Sequence, residues 1–139
     1  MTAVTRPRRV RSIDEVLAEA RSRISRLHPE EAAARVAAGA LLVDIRPAVH
    51  RAEEGSVPGA LVIERNVLEW RLDPQSDARV PQATDHDVEV IVLCNEGYTS
   101  SVAADSLREL GLVKSADVIG GYRAWAAAGL PVTPGDPPR

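Results

Sequence analysis

The stretch VIVLCNEGYTSS, Val90–Ser101, changes from one structural pattern to another within a few residues. Its first four residues are apolar and typical of a buried strand, and they lead directly into Cys94, the only cysteine of the chain. Gly97 follows, and then a Thr-Ser-Ser cluster of the kind that begins helices. We therefore predict a buried strand, a short loop that starts at Cys94, and a helix after it.

A thiol at such a junction is compatible with two roles. Ligands of open parallel sheets bind beyond the carboxyl ends of the strands, and the free N–H groups at a helix N-terminus favour an anion such as a thiolate or a persulfide. Gly97 would let the loop curl closely around the sulfur. A lone cysteine at a strand end is also commonly a small buried hydrophobe. The spacing alone favours neither role.

The rest of the chain alternates between strand and helix patterns. Ser12 and Glu15 have the spacing of a capping box, and apolar residues at helical spacing after them predict an amphipathic helix through Leu27. Further helices are predicted in HPEEAAARVAAG, after Pro47, in TSSVAADSLRELG and in GYRAWAAAG, and strands in ALLVDI, LVIER, VEVIVL and SADVIG. This alternation favours the α/β class, with a mainly parallel sheet covered by helices on both faces.

Charge and composition limit the possible functions. The first 28 residues contain seven arginines and three acidic residues, but no aromatic residues alternate with them, so we expect a solvated helix rather than a nucleic-acid-binding arm. No segment is predicted to cross a membrane, and a single cysteine fits a reducing compartment, so the expected localisation is cytoplasmic. The histidines are scattered and none pairs with the cysteine at a metal-like spacing, so we expect no metal. The glycine patterns that bind phosphates and dinucleotides are missing, and we expect no cofactor.

Four motifs resemble those of the rhodanese-like domain family. They are LLVDIRP (Leu41–Pro47), GSVPGA (Gly55–Ala60), VLCNEGYTSS (Val92–Ser101) and VIGGYRAWAAAGLPV (Val118–Val132). The resemblance implies a three-layer fold with a central, mainly parallel sheet of about five strands, preceded by an extra N-terminal amphipathic helix. It divides the chain into a basic leader and helix (1–28), the rhodanese-like domain (29–133) and a proline-rich tail (134–139).

The same resemblance implies a sulfurtransferase. Cys94 would accept a sulfane sulfur, carry it as a persulfide and pass it to a thiol or a cyanide-like nucleophile. The substrate-binding loop would consist of Asn95, Glu96, Gly97, Tyr98 and Thr99, supported by Asp44, Arg46 and Ser100. For Asp44 and Arg46 a structural role is favoured over substrate contact. The loop from Cys94 to Thr99 has the length that the family associates with sulfur substrates, whereas its phosphatase and arsenate-reducing relatives have a loop one residue longer.

The loop departs from the family pattern in its charge. Asn95 stands where the family usually has arginine, Glu96 follows it, and the loop contains no cation. We therefore predict weak use of thiosulfate, with a protein persulfide or a small thiol persulfide as the preferred donor. A rhodanese-fold binding or regulatory module that turns over little is the alternative. The N-terminal helix is a possible docking element for a protein partner.

Overall fold

The central sheet has five strands, all parallel. The computed structural model describes residues 10–135, so the leader up to residue 9 and the last four residues of the predicted tail lie outside the described part. The strands are β1 (Ser25–Leu27), β2 (Leu41–Asp44), β3 (Leu61–Val62), β4 (Val90–Leu93) and β5 (Ser115–Val118). Their order across the sheet is β1-β5-β4-β2-β3. The predicted fold class is confirmed.

Within residues 10–135, six α-helices precede, connect or follow these strands. They are α1 (Ile13–Arg23), α2 (Pro29–Ala37), α3 (Ala48–Glu54), α4 (Leu68–Leu72), α5 (Thr99–Glu109) and α6 (Gly121–Ala127), with a 3₁₀ turn at Arg65–Val67 before α4. The predicted capping box begins α1. The backbone N–H of Glu15 donates to the hydroxyl oxygen of Ser12, and the backbone N–H of Ser12 donates to the carboxylate of Glu15. Among residues 10–135, no helix has the length and apolar character that a membrane crossing requires.

The alternation of side chains along β4 builds a core on each face of the sheet. Val90 and Val92 point to the same side as Cys94 and pack with apolar residues of α4 and α5. Ile91 and Leu93 point to the opposite side and pack with residues of α2 and α6. Because successive side chains of a strand point to opposite faces of the sheet, Cys94, the first residue after β4, lies on the same face as Val92, which is covered by α5. Cys94 is therefore directed toward the start of α5.

The N-terminal helix is shorter than predicted. It ends at Arg23, and Ser25–Leu27 forms the edge strand β1, which pairs in parallel with β5. Ile24 and Leu27 continue the helical spacing of apolar residues, but the sequence Ser25–Leu27 is equally compatible with a short strand. In the strand, Leu27 is buried in the core next to α2, while Arg26 pairs with Asp117 of β5. These contacts with distant residues override the local helical pattern.

Candidate active site

Cys94 is the first residue after β4, and it lines a cavity of about 280 Å³. Only 4% of the residue is exposed. The backbone N–H of Gly97 donates to Sγ of Cys94 at 3.1 Å. The side chain therefore borders both the apolar core and the cavity.

Gly97 allows the loop to curl back to the sulfur. Its φ of +87° lies in the left-handed region, and a Cβ at this position would lie 2.7 Å from the backbone nitrogen of Gly120. Any other residue would be strained there and would push the loop away from β5. The loop geometry around Cys94 therefore requires glycine at this position.

The N-terminus of α6 holds the loop from the other side. The backbone N–H of Tyr122 donates to the carbonyl of Cys94 at 2.8 Å, and that of Arg123 donates to the carbonyl of Asn95 at 3.1 Å. A Cβ on Gly121 would lie 2.4 Å from the Cys94 carbonyl oxygen. The Gly120–Gly121 pair, which sequence reasoning took only as a turn, thus lets α6 approach the loop closely.

Asp44 and Arg46 lie beneath the loop and are buried. The Arg46 guanidinium donates to Asp44 through Nη2 at 2.8 Å and through Nε at 3.1 Å, and to the carbonyl of Gly55 at 2.8 Å. It also lies over the ring of Tyr122, 4.0 Å from the ring centroid. A longer contact of 3.4 Å joins Nη1 to Oδ1 of Asn95. These contacts join Arg46 to the end of β2, to the turn before β3 and to α6, and the structural role expected for the pair stays a prediction.

At the mouth of the cavity, one arginine is paired with two carboxylates. Nδ2 of Asn95 donates to Glu54, and Arg123 donates to both Glu54 and Glu96, at distances of 2.8 to 3.0 Å. The hydrogen bond from Arg123, followed by that from Asn95, holds the pKa of Glu54 below its ordinary value. Glu54 therefore stays ionised, and the charge of Arg123 is balanced by two carboxylates. Glu54 and Arg123 were not predicted as site residues.

Ser100 and Ser101 are hydrogen-bonded to β5 through their hydroxyl groups. Both hydroxyls donate to Oδ2 of the fully buried Asp117, at 2.8 and 2.7 Å. Nε of Arg26 donates to Oδ1 of the same carboxylate at 3.0 Å. Ser100 therefore supports the site by joining the start of α5 to β5 and β1, and Asp117 is a supporting residue that the sequence did not reveal.

Two arginines of the N-terminal segment contact the outer side of the loop. Nη2 of Arg21 and Nη2 of Arg26 donate to the carbonyl oxygen of Gly97, at 2.8 and 3.0 Å. Arg21 also donates to Ser101 and lies over the Tyr98 ring, 5.7 Å from its centroid. The expectation of a merely solvated basic helix was wrong for these residues, because their partners are distant in sequence.

The remaining cavity wall contains one unpartnered polar atom. His50 of α3 lines the cavity together with Cys94, and among the described residues its buried Nδ1 has no hydrogen-bond partner. Tyr98 and Thr99 are exposed and line the mouth, as does Glu96. Four of the five predicted loop residues thus line the cavity that Cys94 also lines, and Gly97 contacts the sulfur without lining it.

A parallel five-stranded sheet with a cysteine loop after its central strand is the arrangement expected from the sequence motifs, and comparison with known proteins identifies the same family. Residues 28–128 match the model of the rhodanese-like domain. The chain belongs to the rhodanese-like domain family.

Several relatives of this chain are sulfurtransferases. The thiosulfate sulfurtransferase GlpE of Haemophilus influenzae is 32% identical over 104 residues, which cover 75% of this chain and 90% of that protein. The adenylyltransferase and sulfurtransferase MOCS3-1 of Zea mays is 36% identical over 85 residues, covering 61% of this chain and 18% of the maize protein. The chain thus spans less than a fifth of the length of that plant relative.

Solved structures extend the likeness to the whole described fold. A protein of unknown function from Rhodopseudomonas palustris, described as a possible tyrosine phosphatase, is 32% identical with a TM-score of 0.80, covering 92% of this chain and 99% of that one. The thiosulfate sulfurtransferase of Pseudomonas aeruginosa is 25% identical with a TM-score of 0.67, covering 86% of this chain and 22% of that one.

Proposed function

We propose that this protein is a sulfurtransferase that carries sulfane sulfur on Cys94. The observation that carries the proposal is the hydrogen bond from the Gly97 N–H to the sulfur of Cys94, a residue that lines an open cavity. A backbone N–H directed at sulfur stabilises a thiolate and leaves its other lone pairs free to attack. The sulfurtransferases among the relatives support the same reaction class.

The reaction has two displacement steps. The Cys94 thiolate attacks the outer sulfur of the donor, a new S–S bond forms, and the old S–S bond breaks with its electron pair leaving on the donor thiolate or on sulfite. An acceptor thiolate or cyanide then attacks the outer sulfur of the Cys94 persulfide. That S–S bond breaks in turn, and its electron pair returns to Cys94 as a thiolate. No external oxidant or reductant is required.

The charges of the cavity favour a thiol persulfide over thiosulfate as donor. Arg46 and Arg123 are the two arginines that line the described cavity, and each is matched by carboxylates: Arg46 by Asp44, and Arg123 by Glu54 and Glu96. A dianion entering this mouth meets no surplus positive charge. A thiol persulfide group carries at most one negative charge, whereas thiosulfate carries two. The same argument disfavours a phosphate monoester, so the phosphatase description of the Rhodopseudomonas relative is not carried over to this chain.

Intact-mass spectrometry tests the proposal directly. The protein is incubated with glutathione persulfide or with thiosulfate. We expect one added sulfur atom with glutathione persulfide, less with thiosulfate, and loss of the adduct on addition of cyanide or dithiothreitol. Cys94→Ser is the negative control, since it removes the attacking atom. His86→Gln, at a half-buried position beside Gly111 and outside the cavity, is the control that should keep the adduct.

A thiol that stays unmodified with both donors would contradict the proposal. That result would favour the alternative of a rhodanese-fold binding module, in which the cysteine is retained without turnover. The acceptor is proposed as a thiol, and its rate of persulfide discharge can be measured in the same assay by varying the thiol added.

A further inference from the structure

The carbonyl of Gly97 is held by two guanidinium groups that come from outside the loop. Arg21 of α1 and Arg26 of β1 both donate to this one oxygen through Nη2, at 2.8 and 3.0 Å. Hydrogen bonds from a charged donor are stronger than neutral ones and fix the orientation of the acceptor. The peptide between Gly97 and Tyr98 is therefore held with its oxygen toward the N-terminal segment.

The geometry of a trans peptide then fixes the direction of the Tyr98 N–H. No described peptide bond is cis, so the N–H of Tyr98 points opposite to the Gly97 carbonyl, away from both arginines. Within residues 10–135, no group accepts a hydrogen bond from this N–H. Tyr98 lines the cavity that contains Cys94. The loop thus presents a free donor on the side of the peptide away from the two arginines.

We propose that Arg21, with the Asp117-paired Arg26 as a second donor, supplies from outside the loop the positive charge that the loop itself lacks, and that both arginines act through the Gly97–Tyr98 peptide on the outer sulfur of the Cys94 persulfide. The inference rests on the proposed sulfur-transfer function. Two cations on the carbonyl polarise the peptide and make its N–H a better donor to an anionic sulfur. Both arginines are positioning residues, because they touch the loop and not the reacting atoms.

Arg21 is the better residue to test. Arg26 also pairs with the fully buried Asp117, so its removal would leave a buried carboxylate without its cation and endanger folding. Arg21 has no carboxylate partner among its described contacts, which are the Gly97 carbonyl, the Ser101 hydroxyl and the Tyr98 ring. Arg23 lies on the same helix and pairs with Asp105 without contacting the loop. It offers a matched control.

The experiment compares Arg21→Gln, Arg21→Lys and Arg23→Gln with the wild type. We expect Arg21→Gln to slow persulfide formation from glutathione persulfide by about tenfold, because one of two charge-assisted donors is lost. Arg21→Lys, which keeps the charge, should recover most of this rate. Alkylation of unmodified Cys94 by iodoacetamide should stay within about twofold of wild type, since the Gly97 N–H that holds Sγ is retained. Arg23→Gln should leave both rates unchanged.

Each alternative outcome has a distinct meaning. If Arg21→Gln forms the persulfide as fast as wild type, the inference is wrong while the proposed function stands. If Arg21→Gln slows alkylation and persulfide formation equally, or if Arg21→Lys rescues nothing, the arginine only stabilises the loop and the inference is again wrong. If the wild type forms no persulfide with any donor, the proposed function itself fails.

Discussion

Asp44 and Arg46 form an ion pair from which solvent is almost completely excluded. The two residues are separated by one position at the end of β2, and their closest approach is 2.8 Å. Arg46 also holds the carbonyl of Gly55 and lies over the Tyr122 ring. This pair therefore joins the end of β2 to the turn before β3 and to α6, directly beneath the loop that begins at Cys94.

Removing the cation of this pair should destabilise the fold strongly. We expect Arg46→Met to lower the free energy of unfolding by about 3–5 kcal/mol, because it leaves the Asp44 carboxylate buried and unpaired. Urea denaturation followed by circular dichroism measures this loss. The double variant Asp44→Asn with Arg46→Met should be less destabilised than the sum of the two single variants. A loss below about 1 kcal/mol for Arg46→Met would show that the pair is solvated in solution.

Two glycines with similar backbone angles should respond differently to alanine. Gly97 and Gly59 have φ values of +87° and +80°, but a Cβ meets the Gly120 nitrogen at the first position and no atom within 4 Å at the second. Gly59→Ala should cost about 1–2 kcal/mol from backbone strain alone and leave sulfur transfer intact. Gly97→Ala should cost more and should abolish persulfide formation, because the N–H is displaced from Cys94. Equal rates of persulfide formation in the two variants would refute this interpretation of Gly97.

Neutralising one carboxylate at the cavity mouth should improve the use of thiosulfate. Glu96→Gln leaves Arg123 with Glu54 as its remaining carboxylate partner, so we expect kcat/KM for thiosulfate to rise by about three- to tenfold. The gain should shrink at high ionic strength, since salt screens exposed charges. Glu89→Gln is the matched control, because Glu89 also pairs with one arginine but on another part of the surface. An unchanged kcat/KM for Glu96→Gln would mean that mouth electrostatics do not limit thiosulfate use.

The Asp105 carboxylate should make stability depend on pH at the acid end. Its hydrogen bond with Arg23, supported by Arg108, lowers its pKa below the ordinary value of 3.8. A carboxyl group whose pKa is lower in the folded state stabilises the fold above its unfolded pKa, and this contribution is lost as the pH falls through the folded value. Asp105→Asn should therefore lower Tm by about 2–4 °C near neutral pH, and this difference should disappear at a pH well below 3.8.

Thermal melts of wild type and Asp105→Asn across the acid range measure this effect. Asp77→Asn, at an exposed loop position, is the matched change of charge. A Tm difference that stays constant at every pH would contradict the proposed role of the ionised Asp105.

Much of the fold and the centre of the site could be predicted from local sequence. The apolar run before Cys94, the capping box at Ser12 and the glycine stop after α2 each act over a few residues, so the sequence shows them directly. The position of the thiol at a strand-to-helix junction follows from the same local patterns. The family motifs then supplied its chemical interpretation.

The residues that the sequence did not reveal are those with distant partners. Arg21 meets Gly97 across 76 positions, and Arg26 meets Asp117 across 91 positions. An arginine on an amphipathic helix has the same local pattern whether its head group is solvated or bonded to a distant carbonyl. The strand β1 was missed for a related reason, because three residues are too few to distinguish a strand from the last turn of a helix.

The position of β1 affects how the protein may be shortened. A chain that began at residue 28, where the family match begins, would lose the strand that covers the open side of β5. Its exposed Ser115–Val118 backbone would become available for pairing with other molecules, which promotes aggregation. Asp117 would also be left without its cation and the Gly97 carbonyl without both of its guanidinium donors. The folded unit therefore extends toward the N-terminus beyond residues 28–128, which match the family model.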